Sequence, residues 1–204
     1  MQGLRRGAAP NPAKNLRFLE LPLHLSLCDK WAYIFLGLLE KGYLFMANKV
    51  EKTNVMRILD KAEIPYQTHF YSPDTGIDAI SVAKALGQDP QAVFKTLVTQ
   101  GKSRALYVFV IPATGSLNLK HAAAACGEKA VEMIPQKALL PNTGYIHGGC
   151  SPIGMKKLYP TFIDESAQLF DTICVSAGKI GAQVELAPDA LCTLVSAQYA
   201  ELTD

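Results

Sequence analysis

Residues 94–111 read FKTLVTQGKSRALYVFVI, two apolar and β-branched runs, Phe94 to Thr99 and Ala105 to Ile111, set around the four residues GKSR. Runs of this length joined by a short polar connection containing Gly make an antiparallel hairpin, and their near-continuous apolarity suits a sheet covered on both faces. That hairpin is therefore the expected centre of the fold. One residue does not suit it. Lys95 stands among Val93, Phe94, Leu97 and Val98, and a lysine so placed is either a charge at a sheet edge reaching water or a cation aimed into a pocket.

The elements around the hairpin alternate between helix and strand. Thr53 or Asn54 caps a helix whose Val55, Ile58, Leu59 and Ala62 share one face, and Pro65 ends it. Tyr66–Tyr71 alternates as a strand, Ser72–Gly76 forms a turn, and Thr75 with Asp78 resembles a capping box for a helix running through Leu86 to Gly87. Asn118 caps the helix LKHAAAAC, which stops at Gly127, and Pro135–Leu140 is a further short helix. Strands are expected at Gly144–His147, Thr161–Asp164, Thr172–Ser176 and Gln183–Leu186, with Pro188 opening a last helix. Because the spacing is not that of regular βαβ units, the expected fold class is α/β of the α+β kind, a mixed sheet curled around one core.

Composition narrows the function. With 49% hydrophobic and 19% charged residues over 204 positions, the chain can build a sizeable core. Glu40 and Lys41 interrupt the best membrane-span candidate, Trp31–Met46, so no membrane partner is expected. The five cysteines (28, 126, 150, 174, 192) are scattered and form no CxxC pair, the usage of reduced thiols in a cytoplasmic protein. The four histidines show no ligand spacing, and no metal or other cofactor is expected. Residues 1–45 hold six Lys/Arg against three Asp/Glu, leaving 14 of the 20 basic and 15 of the 18 acidic residues for 46–204. A nucleic-acid partner would then be held by a local basic patch.

Residues 1–45 differ in quality from the rest. A Gly/Pro/Arg-rich start and the segments LELPLHLSL and WAYIFLGLLEKGYLF lack convincing caps or a clean period. The codons of Glu40-Lys41-Gly42 can spell a purine-rich ribosome-binding sequence just before Met46. The expectation is an extension over 1–45, translated from a mis-assigned start or packed as a helix (Trp31–Leu44), ahead of one domain over 46–204.

Three Gly- or Ser-rich loops interrupt the sheet: ATGSLN (113–118), GGCSPIG (148–154) and SAGKIG (176–181). None fits the phosphate-binding GxxxxGK[ST] or the dinucleotide-binding GxGxxG. Loops of this kind either turn the chain between strands or bring bare backbone amides close to a ligand. Cys150 as a nucleophile would need His147, three residues away, as its base, whereas such pairs usually come from separate elements. Ser151 and Ser176 sit in no GxSxG elbow.

Together, FKTLV, LNLKHAAAACG, TGYIHGGCSPIG, ICVSAGKIG and VELAP, in this order and at these separations, resemble the YbaK/EbsC family of aminoacyl-tRNA deacylases, from about Thr53 to Asp204. The resemblance implies a curled, mostly antiparallel mixed sheet surrounded by helices, shared with the editing domain of prolyl-tRNA synthetases. It also implies hydrolysis of mischarged tRNA, Cys-tRNA(Pro) foremost and also Cys-tRNA(Cys), with Ala-tRNA(Pro) deacylation and a non-catalytic binding module as alternatives. The partner implied is the 3′ end of aminoacylated tRNA, bound alone or in a complex with prolyl-tRNA synthetase; no oligomeric state is implied.

Carried onto this chain, the resemblance makes Lys95, Gly148 and Gly149 the expected catalytic positions. Tyr71, Thr96, Asn118, Cys150, Ser151, Pro152, Ser176 and Lys179 are the expected substrate-binding ones. No general base appears in the set. In cysteine-specific relatives the substrate's own thiol is taken to attack the ester, so the protein need only orient and stabilise charge. This chain departs from the usual pattern by reading SAGKIG where many relatives read SGGKRG, and by Gln183 where an acidic residue is common.

Overall fold

The computed structural model of the protein describes residues 51–72 and 78–204. The expected extension over 1–45, the start at Met46 and the role of Thr75 lie outside the described residues. Five helices, α1 Asn54–Lys61, α2 Ala79–Leu86, α3 Leu119–Ala125, α4 Gln136–Thr143 and α5 Pro188–Leu194, surround eight strands among the described residues. These are β1 Gln67–Phe70, β2 Phe94–Gly101, β3 Leu106–Pro112, β4 Val131–Met133, β5 Thr161–Asp164, β6 Ile173–Ser176, β7 Ala182–Leu186 and β8 Gln198–Ala200.

The hairpin sits where its apolarity requires. β2 and β3 pair antiparallel from Phe94–Pro112 to Gln100–Leu106, and the turn closes through the Arg104 amide donating to Gly101 O at 2.9 Å. They lie inside a five-stranded sheet of order β4-β2-β3-β5-β8, in which β5 and β8 run parallel to their neighbours. The Phe109 and Phe162 rings stack across β3 and β5 with centroids 5.5 Å apart, a pair worth about 0.5–1.5 kcal/mol beyond its buried area. The second sheet, β1-β7-β6, is antiparallel throughout. A parallel bridge between Val93 and Cys174, with the Cys174 amide donating to Ala92 O at 2.9 Å, stitches the sheets together. The expected curled mixed sheet is thus present.

The two faces of β1-β7-β6 follow from the period of a strand. Ile173, Val175, Ala182, Val184 and Leu186 point into the main core with Val55 and Leu59 of α1. The other face carries His69, Cys174, Ser176, Gln183 and Glu185, by register and alternation. There Cys174 packs with Ala83 and Ala79 of α2, and with Val93 and Ala113. A largely polar face roofed by small alanines leaves room for a cavity.

Local rules account for most boundaries. Thr53 caps α1 by accepting from the Met56 amide at 3.3 Å, and Asn118 caps α3 by accepting from Lys120 and His121. The cap of α2 is Asp78 itself, accepting from the Ser81 amide at 2.9 Å, rather than the third residue of a capping box. On α1 it is Met56, not Ala62, that is buried beside Val55 and Leu59. The expected strand at Gly144–His147 is absent. Gly144 ends α4 in the left-handed region, Tyr145 turns into the core with its hydroxyl donating to Ile153 O at 2.6 Å, and the Gly149 amide closes on Ile146 O. The Gly144 amide on Leu140 O, the Tyr145 amide on Thr143 Oγ1 and Ile146 O under the Gly149 amide use backbone groups that a ladder would need.

Candidate active site

Lys95 heads β2 at a point where β4 does not reach, since β4 pairs only with Thr99–Gly101. Its alkyl stem follows the sheet and its ammonium donates to two backbone carbonyls of the 113–118 loop, Ala113 O at 3.0 Å and Gly115 O at 2.6 Å. The ammonium is half-buried, and burial pulls its pKa below the ordinary lysine value. Two of its three protons are used by those carbonyls, which leaves one to direct at a ligand. Edge snorkelling does not describe this lysine. It lines a cavity of about 400 Å³, within the range that holds small organic ligands.

The same cavity is lined by Gly148 and Cys150 from the GGCSP loop, by Ser176 and Gln183 from β6 and β7, by Tyr71, Thr96, Leu97, Leu139 and His147, and by Ala79, Ile80 and Val82 of α2. Gly148 adopts φ 80°, the left-handed region that favours glycine. Gly149 is glycine for a different reason: a Cβ there would stand 3.2 Å from the Ile180 amide nitrogen, so the two Gly-rich loops touch backbone to backbone. The amide of Gly149 already donates to Ile146 O at 3.1 Å, which withdraws it from ligand binding. Among the described residues no hydrogen bond engages the amides of Gly148 and Cys150, so these two, and not Gly149, keep an amide available on the loop that lines the cavity.

Six of the eleven expected positions therefore line one hollow: Tyr71, Lys95, Thr96, Gly148, Cys150 and Ser176. The others do not. Asn118 is spent on capping α3 and on Asp204, to which its amide donates at 2.6 Å. Ser151 is wholly buried, with its Oγ accepting from the Ile153 amide, and so shapes the loop. Pro152 borders a separate, smaller cavity, and Lys179 lies exposed on its loop. Ser176 Oγ accepts from the Gly178 amide at 3.2 Å and can still donate its proton.

Two of the residues that line the cavity carry a buried polar atom without a partner, the Thr96 hydroxyl and Gln183 Oε1. A buried polar atom left unpaired costs about 1–3 kcal/mol, so each of the two would gain from a partner. In the sequence Gln183 stands out only as a departure from a pattern; its strand register opposite Ser176 is what turns it inward. Cys150 is 9% exposed, and burial pushes its thiol up to about 12. A thiol held neutral in this way is a poor nucleophile, and His147 beside it is an exposed loop residue.

The hollow thus brings together a lysine ammonium, a loop with two unbonded amides, and residues carrying two unpaired polar atoms. The sequence model of the aminoacyl-tRNA editing domain matches residues 76–194. The chain belongs to that family. It is 47% identical over 154 residues to a protein of Enterococcus faecalis named as a candidate Cys-tRNA(Pro)/Cys-tRNA(Cys) deacylase, EbsC, covering 75% of this chain and 94% of that one. The expected kinship with the YbaK/EbsC group holds.

Solved structures agree on the fold. A candidate trans-editing enzyme for prolyl-tRNA synthetase superposes with TM-score 0.66 at 23% identity, over 74% of this chain and 94% of that one. A hypothetical protein superposes with TM-score 0.68 at 19% identity, over 74% and 99%. Among the described residues no helix is long and apolar enough to cross a membrane.

Proposed function

We propose that this editing-domain protein deacylates mischarged tRNA in trans, with Cys-tRNA(Pro) as its principal substrate and Cys-tRNA(Cys) as a second. The observation that supports this reading is that Lys95, Gly148 and Cys150 line one cavity. The name of the Enterococcus faecalis relative and the editing-domain match support the substrate class.

In the proposed reaction the aminoacyl ester enters with its carbonyl oxygen toward Lys95 and the two amides, and its α-ammonium toward Thr96 Oγ1 and Gln183 Oε1. The substrate thiol, as thiolate, attacks the ester carbonyl carbon and a C–S bond forms. Negative charge moves to the carbonyl oxygen, where the cation and the amides stabilise it. The C–O bond then breaks, the ribose oxygen takes a proton, and the products are free tRNA and a four-membered cysteine thiolactone that water opens to cysteine. Holding thiol and carbonyl together replaces an enzyme nucleophile. A separate editing step is needed because pockets discriminate small side chains by only about 1–3 kcal/mol.

Residues 46–204 carry no excess of basic charge, so we place the protein in a complex with prolyl-tRNA synthetase and tRNA, where the synthetase supplies the tRNA contacts. The test is release of amino acid from tRNA(Pro) charged in turn with cysteine, alanine and proline. Fast release from the cysteine ester alone is expected. Preference for alanine would reassign the substrate, and no release from any of the three would leave a binding module.

A further inference from the structure

Outside the cavity, His69 of β1, Glu185 of β7 and Cys174 of β6 meet on the same face of the three-stranded sheet. Cys174 stands directly opposite Glu185 in the register, and His69 lies diagonally across, opposite Gln183. Their ligating atoms lie within 4.8 Å of one another, with His69 Nε2 2.6 Å from Glu185 Oε2. The chain separates His69 from Cys174 and Glu185 by more than a hundred positions, so no spacing of histidines or cysteines betrays the group.

A fourth group completes the set. The Gln88 side chain reaches in from just beyond α2, with Nε2 3.2 Å from Cys174 Sγ, while its Oε1 is buried without a partner. Rotating that amide by half a turn exchanges the two atoms. The oxygen then stands beside the Cys174 sulfur, where an ion held by that sulfur would be within its reach.

We infer that Cys174, His69, Glu185 and Gln88 form a four-coordinate site for a borderline divalent metal ion, of which Zn²⁺ is the type. Thiolate, imidazole and carboxylate together suit zinc and not magnesium or calcium, which take oxygen. Tetrahedral zinc bonds of about 2.0–2.3 Å set ligand atoms roughly 3.2–3.8 Å apart. The Gln88–Cys174 separation already meets that spacing, and the His69–Glu185 pair would open by under about 1 Å to reach it. The far carboxylate oxygen of Glu185 accepts from Thr172 Oγ1 at 2.6 Å, the kind of outer contact that fixes a metal-binding carboxylate. The His69 and Glu185 side chains are each 25% exposed, which gives an ion a way in. Binding releases the Cys174 thiol proton to solvent.

The site adjoins the cavity without belonging to it. Ser176 and Gln183, which line the cavity, stand two residues along their strands from Cys174 and Glu185 on the same face. A metal there clamps all three strands of the cavity's outer wall and needs no part in ester cleavage, so it stands whether or not deacylation does.

The test uses the full chain, freed of metal by dialysis and titrated with ZnCl₂ and, separately, with CoCl₂. One ion per chain, a raised thermal midpoint, and a cobalt spectrum with a thiolate charge-transfer band and tetrahedral d–d bands are expected. His69→Ala, Cys174→Ser and Glu185→Gln each lower affinity about tenfold or more, while Cys192→Ser binds as the parent does. Glu185→Gln keeps the hydrogen-bonding outline, so it remains informative should Cys174→Ser fold poorly. Absence of binding, an octahedral cobalt spectrum without the thiolate band, or undiminished binding by Glu185→Gln and His69→Ala would overturn the site.

Discussion

Replacing Lys95 by Met removes the ammonium and keeps most of the stem. The structure separates two consequences. For stability, the change deletes charge-assisted hydrogen bonds to Ala113 O and Gly115 O, but it also relieves the burial that already depresses the lysine pKa. These terms oppose each other, and the net change should stay within about 1–2 kcal/mol. For catalysis nothing offsets the loss, because the cation is the strongest donor at the cavity. Removing one donor to a developing oxyanion costs about 2.7–4 kcal/mol, or roughly 10²–10³ in rate. Single-turnover deacylation of Cys-tRNA(Pro), run beside a urea melt, reads both numbers. A Lys95→Met rate within about threefold of the parent, in a protein that melts normally, would refute the assignment of Lys95 to the reacting carbonyl.

The pH profile gives an independent check. Burial lowers the folded pKa of Lys95, so the cation is lost as pH rises through a value below the ordinary lysine range. Thiolate formation on the substrate, near about 8.5, makes the rate climb first. A bell is expected, and Lys95→Met should lose its descending limb. Cys150→Ala should keep the rate within about threefold, since the thiol is buried and neutral, while losing about 1 kcal/mol of stability; a dead Cys150→Ala that folds would restore an enzyme nucleophile. Gly149→Ala pushes a methyl group to 3.2 Å from the Ile180 nitrogen, and a melt should show a loss of about 1–3 kcal/mol with reduced activity. Asp78→Ala unties the cap of α2 from the Ser81 amide and should cost about 0.5–2 kcal/mol, weakening substrate binding because α2 walls the cavity.

The central hairpin was legible because its apolar runs and polar turn leave no other arrangement, and the caps at Thr53 and Asn118 because one side-chain oxygen meets the amides just beyond it. Strands β4 and β8 escaped reading, since three residues are too few to show a period. Gly144–His147 misled because its alternation reflects one inward tyrosine and a closed turn, not a ladder. At the site, Lys95 announced itself by contradicting its neighbours. Asn118 and Ser151 did not, because a polar side chain spent on capping or on an internal turn looks the same in sequence as one facing a ligand. Gln183 and the His69–Cys174–Glu185 group were out of reach for a stronger reason: which strand lies beside which is decided by the whole sheet.

The most direct measurement is a crystal structure of the protein with 3′-cysteinylamino-adenosine, in which an amide replaces the labile ester. The acyl oxygen is expected within about 3.2 Å of Lys95 Nζ or the amides of Gly148 and Cys150, and the α-ammonium on Thr96 Oγ1 or Gln183 Oε1. An acyl group seated with its carbonyl turned from Lys95, or bound outside the cavity, would contradict the proposed reaction.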